Sequence, residues 1–169
     1  MKHLFILLFC ISSGFVALAN DNDAISYNDK IVNEQIKIGE AILAFSNNPN
    51  DFSLNQIRTQ GENSLKVLNE MKAYEGNKDF LSAAKALFRF YVSITQNEYR
   101  KILDLIADKN SYTTEEITEK INQLTESISK KEKPLDAKFK DAQVAFAQKY
   151  NFTLSKNELE DKFKGGSEK

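Results

Sequence analysis

The stretch KDFLSAAKALFRFYVSITQNEYRKILDLIAD, from Lys78 to Asp108, decides the fold class. Its apolar residues recur every three or four positions along two adjacent lines, which is typical of an amphipathic helix with a wide buried face. The stretch contains neither glycine nor proline. It predicts one long helix at the centre of a helical core. The first line comprises Phe80, Ala84, Leu87, Tyr91, Ile94, Ile102 and Leu105, and the second comprises Leu81, Phe88, Thr95, Tyr99 and Ile106.

Two runs with the same spacing precede this stretch. The first extends from Asp23 to about Ser46 and ends before Pro49, because proline disfavours helix at the residue before it. The second starts at Ser53, where Ser53 and Gln56 have the spacing of a capping box.

Small residues mark two further positions in this part of the chain. Gly61 and Ser64 interrupt the apolar stripe of the second helix, so they either let a neighbouring helix approach closely or simply weaken the stripe. Gly76 is expected to adopt the left-handed conformation that ends the segment before the third helix.

The fourth run opens at Thr113, with Glu116 completing a capping-box pattern, and continues to Tyr150. Pro134 lies inside it, but the apolar residues before and after Pro134 continue the same helical stripe. We expect one helix kinked at Pro134, with two helices in line as the alternative. A short last helix is expected from Ser155. The four runs, joined by short turns, predict an all-α, antiparallel up-down-up-down four-helix bundle.

The first 19 residues have the pattern of a cleaved signal peptide. A basic start at Lys2 precedes an apolar run too short to span a bilayer, and Ala17 and Ala19 provide the small residues that signal peptidase needs. Lipidation at Cys10 is the alternative, but Phe9 occupies the place of the expected small residue. The predicted organisation is a signal peptide at 1–19, a bundle domain at 20–164 and a flexible tail at 165–169.

Composition limits the available functions. The chain has 23 basic and 24 acidic residues, a balance that argues against nucleic-acid binding. Cleavage would remove His3 and Cys10, the only histidine and cysteine. Without them the common zinc, di-iron and nucleophilic catalytic sites cannot be built. We therefore expect no cofactor and no metal, and binding rather than catalysis.

Polar residues at core positions are the candidate ligand-binding groups. Glu34 and Gln35 interrupt the stripe of the first helix, and Glu98 interrupts that of the third. These acids, with Tyr91 and Tyr99, could line an interior polar pocket, since a buried acid is costly unless it is paired. In the alternative, each acid lies at the edge of its stripe and reaches water, or Glu98 pairs with a nearby arginine or lysine.

The stretch YNDKIVNEQIKIGEAILAF, Tyr27 to Phe45, resembles the opening helix of a family of exported bacterial proteins first named from a spirochaete surface protein. The likeness rests on residues 27–32 and on Glu34 and Gln35. It implies an exported, envelope-located helical protein, and it adds Tyr27 and Asn28 to the candidate binding residues. Many members look like lipoproteins, a pattern from which Phe9 departs.

These observations predict an exported bundle in the periplasm or at the cell surface. The leading hypothesis is a protein-interaction module that docks another envelope protein or its own copy. The alternative is a small-ligand binder with a polar pocket between helices. A hydrolase using a carboxylate pair is the third possibility. No nucleic-acid partner and no membrane anchor are expected.

Overall fold

The computed structural model describes residues 22–108 and 111–154. Within these ranges the fold is all-helical, which confirms the predicted class. The predicted signal peptide with Cys10, the short helix from Ser155 and the tail at 165–169 lie outside the described residues. The helices are α1 (Asn22–Asn47), α2 (Asp51–Glu70), α3 (Asp79–Gln96), α4 (Glu98–Ala107) and α5 (Thr114–Lys149).

The predicted apolar stripes form one core. Helix α1 packs against α2, α2 against α3, and α3 against α5. Burial of apolar surface is the main favourable term in such packing. The fully buried core side chains include Ile31, Ile38, Ile42, Phe45, Ile57, Leu68, Leu87, Phe88, Ile102, Ile121 and Phe139.

Gly61 marks a close approach between α2 and α3. A Cβ atom built at Gly61 would lie 2.6 Å from Cγ2 of Val92 on α3. That separation is too short for two carbon atoms, so the absence of a side chain is what admits Val92. Of the two interpretations of this small residue, close helix approach matches the structure.

The prediction of one continuous third helix is wrong, because the helix breaks at Asn97. There the backbone angles are φ −115° and ψ −92°, which are not helical. The Asn97 side chain donates to the Ser93 carbonyl at 2.8 Å, while the Ser93 and Thr95 hydroxyls donate to carbonyls three residues earlier. Polar side chains that bond to nearby carbonyls in this way compete with the helical ladder.

The second helix begins earlier than predicted, and its capping box was misassigned. Asn50, not Ser53, is the N-cap: its Oδ1 accepts the Ser53 backbone N–H at 3.0 Å. The Ser53 hydroxyl returns the interaction by accepting the Asn50 N–H at 3.2 Å. Ser53 is therefore the third residue of the helix, and Gln56 has no part in the cap.

Two local predictions are confirmed, and a third is confirmed in part. Thr113 and Glu116 form the predicted capping box at the start of α5. Gly76 has the predicted positive φ, at 78°. Helix α5 passes through Pro134 without ending, so the alternative of two helices in line is wrong; the kink itself stays a prediction.

One end of the fold is reached by only two of the described helices. Phe45, near the end of α1, packs against Tyr99 with ring centroids 5.0 Å apart. Asp51, at the start of α2, accepts from Arg100 at 2.8 Å. Helices α1 and α2 thus extend only as far as the first turn of α4. Residues 101–108, which are the rest of α4 with its C-cap, continue beyond this level, and so do residues 113–127, which are the N-cap and first turns of α5. We call these two segments the α4–α5 arm.

Candidate functional site

Tyr27, the first of the predicted binding residues, lies in an aromatic cluster at the opposite end of the fold from the arm. Its ring stacks on Phe146 with centroids 5.4 Å apart and meets Tyr74 at the same separation. Tyr74 meets Tyr150 edge-on at 4.8 Å. Burial raises the pKa of Tyr27, because it disfavours the phenolate. The cluster joins the start of α1 to the end of α5, so Tyr27 has a packing role.

Asn28 links the same two helices by a hydrogen bond. Its side chain is fully buried, and its Oδ1 accepts from Nε2 of Gln143 at 2.9 Å. Its Nδ2 donates to Oδ1 of Asp29 at 3.0 Å. A buried amide with partners for both polar atoms is a stable arrangement. These contacts also place residue 28 beside residue 143.

Glu34 is held between α1 and α2. One carboxylate oxygen accepts from the Ser64 hydroxyl at 2.7 Å, and the other contacts Nζ of Lys37 at 2.5 Å. The Ser64 hydroxyl also accepts from Gln60 at 3.0 Å. Glu34 is buried while Lys37 is half-exposed, so the lysine reaches inward from solvent to the acid. Ser64 is therefore more than a small residue in the stripe, because its hydroxyl hydrogen-bonds to Glu34 and Gln60.

Glu98 makes a separate contact between α4 and α5. Its Oε1 lies 2.5 Å from Nζ of Lys131, and the acid is buried while the lysine remains largely exposed. The alternative in which Glu98 pairs with a lysine therefore describes the structure. The pair also places residue 98 of α4 beside residue 131 of α5, next to the arm.

Tyr91 belongs to a buried polar group with two acids that sequence analysis missed. Its hydroxyl donates to Oε1 of Glu132 at 2.9 Å. Asp136, one turn further along α5, is also buried and accepts from Lys140 at 2.9 Å. Burial, opposed by the Tyr91 hydrogen bond and reinforced by the charge of Asp136, raises the pKa of Glu132 to about 7.

Tyr99 and Gln35 are buried without hydrogen-bond partners for their polar side-chain atoms among the described residues. Both residues are almost fully buried. Burial, with a smaller effect of the Glu132 charge, raises the pKa of Tyr99. For Gln35, neither the amide oxygen nor the amide nitrogen has a partner in the part of the chain that the structure describes, which is rare for a buried amide.

The structure distributes the seven predicted residues over several contacts. Tyr91 and Tyr99 share one neighbour: burial, and after it the charge of Glu132, raises the pKa of both. Glu34 bonds to α2 and Glu98 to α5, at separate places. Ligand binding by this set as a whole stays a prediction.

The missed residues carried a signal in the sequence. Glu132 follows buried Ile128 by four positions, Asp136 follows Glu132 by four, and Gln143 follows buried Phe139 by four. All three thus lie on the buried stripe of α5. The gap between Ile128 and Leu135 would have found Glu132, by the criterion that singled out Glu34 and Glu98. Asp136 and Gln143 fill no such gap, because each directly follows an apolar residue of the stripe.

Two open clefts lie near the arm. The larger encloses about 500 Å³ between α4 and the start of α5. The smaller, of about 310 Å³, lies where α2 meets the α3–α4 break. The larger combines half-buried leucines with charged side chains: it is lined by Lys101, Asp104, Leu105, Asp108, Tyr112, Lys120, Gln123 and Leu124.

Residues 22–108 and 111–154 contain neither a metal-binding cluster nor a membrane-spanning helix. Histidine, cysteine and acidic side chains nowhere gather in groups of three that could hold a metal ion there. None of the helices in these ranges combines the length and apolar character needed to cross a membrane.

Comparison with known proteins assigns no family. No protein-family model matches the chain, and no curated protein or solved structure is significantly similar to it. The function must therefore be argued from the chain's own surfaces.

Proposed function

We propose that this chain is an exported helical-bundle protein that acts by binding another protein through the α4–α5 arm. The observation that carries the proposal is the cleft of about 500 Å³ along the arm. Helices α4 and α5 form its walls, and no third helix of the described residues lines it. A groove between two helices suits the apolar face of an amphipathic helix.

The chemistry of the arm supports a protein partner. Leu105 and Leu124 supply apolar contact, and Tyr112 is exposed at the rim. Ile106 and Ile117 are only half-buried against the core. Apolar surface bordered by charged side chains is typical of protein-interaction sites.

An up-down-up-down arrangement of the four predicted runs is part of the proposal. The contacts of Tyr27 with Tyr74 and Phe146 bring the start of α1 near the α2–α3 turn and the end of α5. The Arg100–Asp51 pair brings the start of α2 near the α3–α4 break. Alternating helix directions account for both sets of contacts, with α3 and α4 together forming the third run.

Export to the periplasm or cell surface is also proposed, from the signal-peptide pattern of residues 1–19. Cleavage after Ala19 would leave a chain without cysteine or histidine. Such a chain depends on helix packing rather than on disulfides for stability in an oxidising compartment.

A second candidate is a small-ligand binder with a polar pocket between helices. It is favoured by Gln35, whose buried amide has no hydrogen-bond partner among the described residues. A polar ligand that reached Gln35 would supply the missing bonds. The alignment of Asn28 with Gln143 puts residue 35 level with residue 136, seven positions further on each antiparallel helix. The polar groups on that level would be the first place to look for such a ligand.

Site-specific photocrosslinking tests the leading proposal. A benzophenone amino acid replaces Gln123, which lines the cleft, or Gln148, which is exposed near the far end of the same helix and serves as the matched control. Irradiation in the native host should give one defined protein adduct from position 123 and none from position 148. Excess unlabelled wild-type protein should compete the adduct away. Equal labelling from both positions, or none from 123, would contradict the proposal.

A further inference from the structure

One face of α4 has an unusual order of charges. Asp104 and Leu105 follow Lys101 by three and four positions and precede Asp108 by four and three, so the four residues share the face that lines the cleft. The lysine lies towards the N-terminal end of this short helix and the aspartates lie at its C-terminal end. This order opposes the helix dipole, which favours acids at the N-terminus and bases at the C-terminus.

Contacts within the chain compensate this arrangement only weakly. Lys101 forms no ion pair with any residue that the structure describes. Asp104 lies 3.8 Å from Arg100, which makes its shorter contact with Asp51. Asp108 accepts the backbone N–H of Ser111 at 3.2 Å. Because contacts within one copy of the chain hardly stabilise this order of charges, the order indicates an interaction with another molecule.

We propose that the α4–α5 arm is self-complementary and that its partner is a second copy of this chain. This inference rests on the proposed function and names the partner of the same cleft. If the α4 helices of two copies pack antiparallel about a two-fold axis between residues 104 and 105, Lys101 of each copy lies opposite Asp108 of the other. A two-fold axis makes every such contact occur twice.

The same pairing also brings together the leucines that line the clefts of the two copies. Asp104 and Leu105 both lie next to the axis. Each copy's leucine enters the cleft of the other, while the two exposed Asp104 side chains approach each other, which keeps the pairing weak. The register of Glu98 with Lys131 puts residue 105 level with residue 124, seven positions along each antiparallel helix, so Leu124 forms part of the same apolar centre. Two arms then form four helices around one core, which is the packing of a helical bundle.

The balance of charges favours a second copy over a strongly charged partner. The cleft carries two lysines, Lys101 and Lys120, and two aspartates, Asp104 and Asp108. A balanced rim matches itself when it is turned through a two-fold axis, and complementary rim charges fix register more than they add affinity. Two short helices offer an interface at or below the low end of the ~1,200–2,000 Å² of stable complexes. We therefore expect a reversible dimer that depends on concentration.

Sedimentation equilibrium of the purified chain from Asn20 to Lys169 tests this inference. The wild-type protein should pass from monomer to dimer as its concentration is raised to about 1 mM. Lys101→Glu and Asp108→Lys each place like charges opposite each other, so either variant alone should dimerise at least tenfold more weakly. An equimolar mixture of the two variants should recover the dimer, because each interface contact then joins opposite charges. Circular dichroism melting checks that both variants remain folded.

The outcomes separate the two proposals. A wild-type protein that stays monomeric to about 1 mM, or a mixture that does no better than either variant, would overturn self-association through the arm. If position 123 then crosslinks to a different protein, the arm remains an interaction site and only its partner was misidentified. If position 123 also yields no adduct, both proposals fail.

Discussion

The Tyr91 hydroxyl donates a 2.9 Å hydrogen bond to Oε1 of Glu132, and this bond joins α3 to α5 inside the core. The acid is buried, with Asp136 one helical turn away. The bond favours the carboxylate form of Glu132, but burial outweighs it and raises the pKa to about 7. An acid in this state couples the stability of the fold to pH.

The first prediction concerns this coupling. Folded Glu132 keeps its proton to about pH 7, whereas in the unfolded chain it loses the proton near its ordinary value of 4.5. The unfolded state therefore binds fewer protons between these values, so the free energy of unfolding should fall as the pH rises through this window. The expected contribution is at most about 3 kcal/mol. Urea unfolding at a series of pH values measures it.

Two variants identify Glu132 as the source of that pH dependence. Glu132→Gln should remove this contribution and raise stability above pH 7, since its amide oxygen can still accept from Tyr91. Asp136→Asn should shift the midpoint to lower pH, because the charge of Asp136 contributes to the raised pKa. An unchanged slope in Glu132→Gln would show that other groups cause the dependence.

The second prediction concerns the unpaired amide of Gln35. Gln35→Leu keeps the volume and removes two buried polar atoms that lack partners among the described residues, so it should raise the free energy of unfolding by about 1–3 kcal/mol. Gln143→Leu is the matched control. It should lower stability, because the buried Oδ1 of Asn28 then loses the hydrogen bond that Nε2 of Gln143 donates. If Gln35→Leu destabilises the protein, Gln35 has a polar partner, and the ligand-binding candidate gains support.

The third prediction concerns the contact of Gly61 with Val92. Alanine normally favours a helix over glycine by about 1 kcal/mol. Here the new Cβ would lie 2.6 Å from a methyl group of Val92, so Gly61→Ala should instead destabilise the fold by about 1–3 kcal/mol. The double variant Gly61→Ala with Val92→Ala should recover part of the loss relative to the sum of the single changes. Simple additivity of the two would argue against a direct clash.

The helical class and the core could be predicted because hydrophobic spacing reports which face of a helix is buried. Leu87, Phe88 and Ile102 each lie on a predicted stripe and are fully buried. The same spacing could not locate the break at Asn97, since the apolar phase continues from α3 into α4. The break depends on hydrogen bonds from Ser93, Thr95 and Asn97 side chains to the backbone, which apolar spacing does not encode.

The candidate sites illustrate the same limit. A gap in a stripe singled out Glu34 and Glu98, and both acids are buried, but spacing did not reveal their partners. Ser64 and Lys131 lie on other helices, 30 and 33 positions away. Such pairings depend on how the helices are aligned. The arm likewise depends on where α1 and α2 end relative to Tyr99, a relationship between helices that no single stretch contains.

A native mass spectrum of the protein from its own host's cell envelope tests the central claim most directly. It reads the N-terminus, the oligomeric state and any bound mass together. We predict a chain that starts at Asn20 and occurs as a dimer, or bound to one defined protein, with the complex lost in the Leu124→Asp variant. A monomer bound to no protein at a concentration where the purified chain dimerises, or a chain that retains residues 1–19, would contradict the account. A diacylglycerol on Cys10 would contradict the predicted cleavage site.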